Sequence, residues 1–175
     1  MAGFGPPTQK ITIPASVAAD GTLVVLTRQQ AGIENGLSFR AVSSRVSAAV
    51  TEECFLLIAG ANAAHIDKLI VHFGDSGALW EIYTGPTVTG NGTALTAIKL
   101  NQTSTTAATL AAYSAPTVSD AGTLAGVFQT SGAGGESWVI TDFIKLAASQ
   151  KLLVRRTAAG AGTQIGFTVE WTEVV

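Results

Sequence analysis

Gly74-Asp75-Ser76-Gly77 has the form of a serine-protease nucleophile loop, and Ala63-Ala64-His65 resembles the matching histidine segment. Only eleven positions separate His65 from Ser76, with a single expected strand between them. In trypsin-like proteases these residues come from different barrels, and geometry defines the triad rather than a tetrapeptide. The tetrad therefore reads as a tight hairpin turn. Cys54 is the one cysteine and is followed by Phe55-Leu56-Leu57-Ile58-Ala59. It cannot form an internal disulfide, and its neighbours predict a buried structural thiol. His65, His72 and Cys54 do not have the spacing of a zinc site. Gly132-Ala133-Gly134-Gly135-Glu136 lacks the Lys-Ser/Thr pair that a phosphate loop needs. Glu52 and Glu53 are adjacent, so on a strand they point to opposite faces and make a poor acid/base pair. The expectation is a chain that is not an enzyme, with no catalytic residue, metal or cofactor. Asn91-Gly92-Thr93 and Asn101-Gln102-Thr103 are formal glycosylation sequons. Met1–Pro7 lacks the basic and apolar regions of a secretory signal, so the sequons carry little weight.

Composition points the same way. The 175 residues carry 13% charged side chains, against about 25% in ordinary globular chains. Ten basic and twelve acidic residues leave a net charge of −2. A nucleic-acid module would need a strong positive field. The longest apolar runs fall far short of the roughly 20 residues that span a bilayer. Hydrophobic residues make up 47% of the chain and aromatics 7%, so much of the apolar share is small. The only basic grouping is Arg155-Arg156, with Arg40 and Arg45. Two readings stand beside each other: solvated strand ends, or ion pairs to an acidic partner surface. A charge-poor exterior suits broad protein contacts, because interface cores are depleted in charge.

The elements that would position these residues are strands. Short β-branched or aromatic runs recur between Gly, Pro, Asn and Asp. Strands are predicted near Gln9–Ile13, Thr22–Thr27, Ser38–Val46, Cys54–Ala59, Lys68–Phe73, Leu79–Tyr83, Thr93–Lys99, Thr109–Ser114, Thr123–Gln129, Glu136–Ile140, Lys151–Arg156 and Gln164–Trp171. Asp20-Gly21, Asn35-Gly36 and Asn91-Gly92 supply positive-φ turns. Ile165, Phe167, Val169 and Trp171 alternate with Gln164, Gly166, Thr168 and Glu170, the pattern of a sheet with one buried face. Phe55–Ile58 and Leu69–Val71 are apolar on both faces, as expected deep in a sandwich or against a neighbouring subunit. Helical signals are weak. The fold expected is an all-β antiparallel sandwich over residues 37–175, preceded by an extended N-terminal arm over residues 1–36.

Tyr83-Thr84-Gly85-Pro86-Thr87-Val88 returns thirty residues later as Tyr113-Ser114-Ala115-Pro116-Thr117-Val118, each copy followed by Gly-Thr. Pro14–Val17 with Asp20-Gly21-Thr22 is a partial third copy. The echo reads as a strand-exit and turn motif, in which proline fixes φ and glycine reopens it. In the first thirty residues, Phe4, Pro6, Pro7, Ile11 and Ile13 are candidate partner contacts, as are Arg155 and Arg156. This segment is either a loose leader or an arm that adds a strand to another subunit's sheet edge.

Leu79-Trp80-Glu81-Ile82-Tyr83-Thr84-Gly85-Pro86-Thr87-Val88 with Asn91-Gly92-Thr93 resembles a segment of tailed-bacteriophage structural proteins. So does the C-terminal pattern of Phe143-Ile144-Lys145-Leu146, Lys151-Leu152-Leu153-Val154-Arg155-Arg156-Thr157 and Phe167-Thr168-Val169-Glu170-Trp171-Thr172-Glu173. The resemblance covers residues 37–175. It implies a jelly-roll sandwich that decorates or cements an assembled capsid. It further implies homotrimers on the major capsid protein, with virion localisation after synthesis in the host bacterial cytoplasm. The competing expectation is a tail, baseplate or fibre module that binds a host glycan through Trp80, Tyr83, Tyr113 or Trp138. Trp80 and Tyr83 are three apart, so a regular strand sends them to opposite faces.

Overall fold

The computed structural model describes residues 15–17, 23–25, 27–74, 78–130, 136–158 and 163–174. Strands β1 (Ala15–Val17) and β2 (Leu23–Val25) form a small antiparallel hairpin. A short helix, α1 (Arg28–Glu34), follows. Then come β3 (Ser38–Val46), β4 (Thr51–Ile58), β5 (Ala63–Phe73) and β6 (Leu79–Thr84). An excursion carries β7 (Thr87–Gly90), β8 (Thr93–Leu95), β9 (Ile98–Lys99), β10 (Ala111–Ser114) and β11 (Thr117–Asp120). The chain closes with β12 (Thr123–Gln129), β13 (Glu136–Leu146), β14 (Lys151–Thr157) and β15 (Gln164–Val174).

Two antiparallel sheets face each other, ordered β13-β5-β15-β3-β9 and β12-β6-β14-β4-β10-β8. Strands β3, β4, β5 and β6 alternate between them, as do β12, β13, β14 and β15, while β6 and β12 are neighbours in the six-stranded sheet, the jelly-roll connectivity. Every second residue of β15 fills the core: Ile165, Phe167, Val169 and Trp171 are at most 1% exposed. Phe39 stacks on Trp171 with ring centroids 5.7 Å apart, and Phe55 meets Phe167 at 4.2 Å. Cys54 lies fully buried in this layer, as its neighbours predicted.

The repeated hexapeptides organise the excursion. β6-β7-β8 and β10-β11-β12 are copies that pair with each other in reverse order, β6 with β12, β7 with β11 and β8 with β10. The registers match: Thr84 opposes Thr123 as Ser114 opposes Thr93, and Tyr83 opposes Leu124 as Tyr113 opposes Ala94. The special turn positions match as well. Gly85 and Ala115 have φ of 68° and 51°, and Gly92 and Gly122 have 84° and 88°. Thr89 Oγ1 donates to the Thr117 carbonyl at 3.2 Å, and Ser119 Oγ donates to the Thr87 carbonyl at 3.4 Å. An internal two-fold therefore passes between β14 and β4.

β7 must carry the chain from β6, second in its sheet, to β8 at the far edge, roughly 19 Å of sheet width. The inner face is filled by the core, so the crossing runs over the outer face, and β11 returns beside it. Leu56 and Leu153 point outward from the middle strands yet are 0% exposed. The β7–β11 ribbon is thus a strap that gives these leucines a second, smaller apolar layer. Thr87–Gly90 and Thr117–Asp120, read from sequence as turns, are strands of this strap.

The other departure from expectation is α1. Thr27 caps it reciprocally with Gln30: the Thr27 hydroxyl accepts from the Gln30 N–H, and the Gln30 side chain accepts from the Thr27 N–H. Gly32 seats the helix on the sheet so closely that a β-carbon there would lie 2.5 Å from Ser38 Oγ and from Thr172 Cγ2. Residues 27–36 thus belong to the sandwich body and are not an extended arm, because the helix has this glycine contact and side-chain partners on β15 and β5. Gln9–Ile13 lies outside the described residues.

Candidate interaction surface

The residues with chemical potential are mostly engaged with one another. Glu170 accepts from Arg40 Nε at 2.9 Å and from Gln29 Nε2 at 2.8 Å. Burial alone would raise its pKa. The hydrogen bonds from Arg40 and Gln29, with the charges of Arg40 and Lys68, outweigh that and hold it below the usual carboxylate value. Arg45 pairs with Glu52 at 3.1 Å, and Arg155 with Glu53 at 2.8 Å. Arg155 also lies over the Tyr83 ring, 5.2 Å from its centroid. Arg156 is 0% exposed and donates to the Ala49 carbonyl at 3.4 Å. Arg156 therefore has no surface to offer a partner, and neither a solvated strand end nor an intermolecular ion pair describes it. The adjacent glutamates do point apart as expected, Glu52 toward the Arg45–Cys54 side and Glu53 toward Arg155.

Glu173, 3% exposed, pins the loop before β10. It accepts from the Thr109 and Leu110 N–H groups at 2.7 and 2.9 Å and from the Thr109 hydroxyl at 2.8 Å. This fully satisfied carboxylate has the profile of a structural group. Burial, followed by the charge of Glu52, pushes the Cys54 thiol up to about 12, far from a reactive thiolate. His65 lies within β5 opposite Lys145 and Thr172, and Ser76 lies outside the described residues. Among the described residues no three His, Cys, Asp or Glu side chains group as a metal site, and no helix is long and apolar enough to cross a membrane.

What remains open is surface. Helix α1 covers one end of the outer face of the five-stranded sheet, held by Arg28–Asp67 at 3.0 Å and by Gln29–Glu170. A cleft of about 440 Å³ lies at the helix start, lined by Thr27, Arg28, Gln29, Asp67, Lys68 and Thr141. Beyond it, Val139, Ile70, Thr168 and Val42 form one cross-strand row over β13, β5, β15 and β3. Val42, Val46 and Val139 are 50%, 56% and 51% exposed. This half-face carries no charged side chain among the residues described. Sequence reading missed it, although Val42 and Val46 alternate with the inward Phe39 and Ala41 positions in a way that marks them as outward.

Of the aromatic candidates, Trp80 is 0% exposed and packs against Phe128 at 6.1 Å. Tyr83 faces the opposite side beneath Arg155, and Tyr113 occupies the equivalent place in the second repeat. The side chain of Trp138, with Phe4, Pro6, Pro7, Ile11 and Ile13, lies outside the described residues.

No family model and no curated protein matches the chain. Similar solved structures include a mutant VP2 protein of infectious bursal disease virus in T=1 particles. It shares 12% identity over 93% of this chain and 45% of that one, with a TM-score of 0.18. The VP2 subviral particle of the same virus shares 12% identity over 78% of this chain and 39% of that one, with a TM-score of 0.14. The chain thus spans less than half the length of these structures. At such TM-scores the likeness carries no argument, and the architecture rests on the strand order above.

Proposed function

We propose that this chain is a virion structural protein that binds the outer surface of an assembled phage capsid and stabilises it. The observation that carries the reading is the open, uncharged half-face of the five-stranded sheet. Val42, Val46 and Val139 stand out from a jelly roll whose grouped arginines are held by partners within the chain. A face of this kind gains contact with protein by apolar burial and gives up little hydration of charge. The resemblance to tailed-phage structural proteins supplies the partner, the major capsid protein. Binding to the assembled shell and not to its separated subunits stabilises the shell by mass action. Homotrimers, which the resemblance also implies, would multiply weak contacts through avidity. The work is adhesion and not turnover.

The test is to incubate purified protein with shells that lack it and then heat them. Binding with a raised disruption temperature is expected, and Val42→Asp and Val139→Asp weaken binding at least ~10-fold while the protein stays folded. Absence of both binding and thermal protection overturns the reading.

A further inference from the structure

The four sheet edges are protected unequally. β9 has two residues and β8 three, too short to template another strand. β13 has eleven, but its pairing breaks between Thr141 and Ile144, and its sequence includes Glu136, Asp142 and Lys145. These are the devices by which edges avoid unwanted pairing. β12 has almost none of them. Its residues Thr123-Leu124-Ala125-Gly126-Val127-Phe128-Gln129 include no charge and no proline. One bulge, between Leu124 and Gly126, interrupts its pairing. Among the described residues β6 is its sole neighbour in the sheet, so one backbone edge is open.

The bulge has a geometric consequence. Leu124 opposes Tyr83 and Val127 opposes Glu81, positions two apart on β6 and hence on one face. Leu124 and Val127 therefore share the outer face although three residues separate them, and they are 50% and 53% exposed. Place a second β12 antiparallel to the first, with a two-fold axis between Ala125 and Gly126. Leu124 of one copy then opposes Val127 of the other, twice over, and Thr123 opposes Phe128. Each aliphatic gains a cross-strand aliphatic partner. A strand without charge pairs with itself at no electrostatic cost, which is the self-complementarity a two-fold contact demands.

We propose that β12 is a homotypic docking edge, at which a second copy of this chain adds its own β12 across that axis and makes the two six-stranded sheets continuous. The contact goes beyond the capsid-decoration reading and is independent of it. It requires an even number of chains, whether or not a three-fold association is also present.

Light scattering of the purified chain across micromolar concentrations tests it, with no capsid in the assay. The expected mass is an even multiple of the protomer. Leu124→Lys and Val127→Lys, both at half-exposed sites, are expected to raise the dissociation constant at least ~30-fold while the far-ultraviolet circular dichroism is retained. Should those variants misfold, two other readouts stand. Amide exchange over Thr123–Gln129 slows as wild-type concentration rises, and the double variant Leu124→Cys, Val127→Cys forms a disulfide-linked dimer under mild oxidation. A monomer, a purely odd-numbered oligomer, or an even-numbered one that folded lysine variants leave intact overturns the proposal. Failure of capsid binding with an intact β12 dimer would sink only the functional reading.

Discussion

A β-carbon at Gly92 would lie 2.2 Å from the Ser114 carbonyl oxygen, and one at Gly122 would lie 2.3 Å from that of Thr84. Both glycines also have positive φ, so alanine there meets backbone that cannot yield. Gly85 shares the positive φ, but nothing stands within 4 Å of its missing β-carbon. Gly85→Ala should cost about 1 kcal/mol, the left-handed backbone penalty, and Gly92→Ala and Gly122→Ala at least ~3 kcal/mol. Ala115 already bears that penalty at the position equivalent to Gly85, so Ala115→Gly should be neutral or stabilising by up to ~1 kcal/mol. Urea denaturation of the four variants checks the ranking, and equal losses at Gly85 and Gly92 would refute the close backbone approach. Glu170 has its own signature. Its folded pKa is lowered, so its ionised form stabilises the protein above the ordinary value of 4.5, and that stability is lost as pH falls through the folded value. Glu170→Gln should cost about 2 kcal/mol at pH 7, with the deficit shrinking below about pH 4. A deficit that stays constant with pH would mean that the carboxylate charge plays no part.

At the scale of elements, the strap makes an outward position behave like a core position. Leu56→Ala and Leu153→Ala should each cost about 3 kcal/mol, close to the inward Leu57→Ala, because both side chains are 0% exposed. Val42→Ala, on the open face of the other sheet, should stay within ~0.5 kcal/mol. A small effect at both Leu56 and Leu153 would show that the β7–β11 ribbon does not press on the sheet. The same contrast explains what the sequence made legible. Ser38–Val46 and Thr123–Gln129 could be read to the residue, since each starts one or two positions after a turn glycine, Gly36 or Gly122. Phe55, Leu56 and Leu57 are buried on both faces, as expected of that apolar run, but the cover is the chain's own excursion; Ile70 in the run Leu69–Val71, read the same way, is only half-buried on the open face. Thr87–Gly90 and Thr117–Asp120 were not legible as strands. Each is four residues after a proline, and what makes them strands is each other, thirty positions away. Helix α1 was missed for a related reason: seven residues with a glycine inside give almost no periodic signal, and only Thr27 with Gln30 marked its start. The opposite orientations of Arg155 and Arg156 follow from adjacency on a strand. The burial of Arg156 does not, because the Ala49 carbonyl that receives it lies more than a hundred residues earlier.

At the scale of the whole molecule, the boundary of the folded body becomes a measurable quantity. β15 is the eleven-residue strand between β5 and β3, and α1 rests across its end through Gly32, Gln29–Glu170 and Arg28–Asp67. The sheet thus has its last strand in the middle, clamped by a helix from before its first strand. Ser38 Oγ and Thr172 Oγ1 sit 2.7 Å apart under that helix, and Thr172 donates onward to Asp67 at 2.6 Å, the carboxylate that also holds Arg28. Removing α1 exposes this polar chain to water and leaves Asp67 and Glu170 without their helix partners. Two truncations, one starting at Thr27 and one at Leu37, isolate that contribution. The shorter chain should melt about 4–8 °C below the longer, the equivalent of ~2 kcal/mol in a body of this size. Equal melting temperatures would place the boundary at Leu37, as sequence reading expected, and would make the helix an ornament on the sandwich. A clear difference places it at Thr27, so deletions made to test the proposed capsid binding have to stop before that residue if loss of binding is to be told apart from loss of fold.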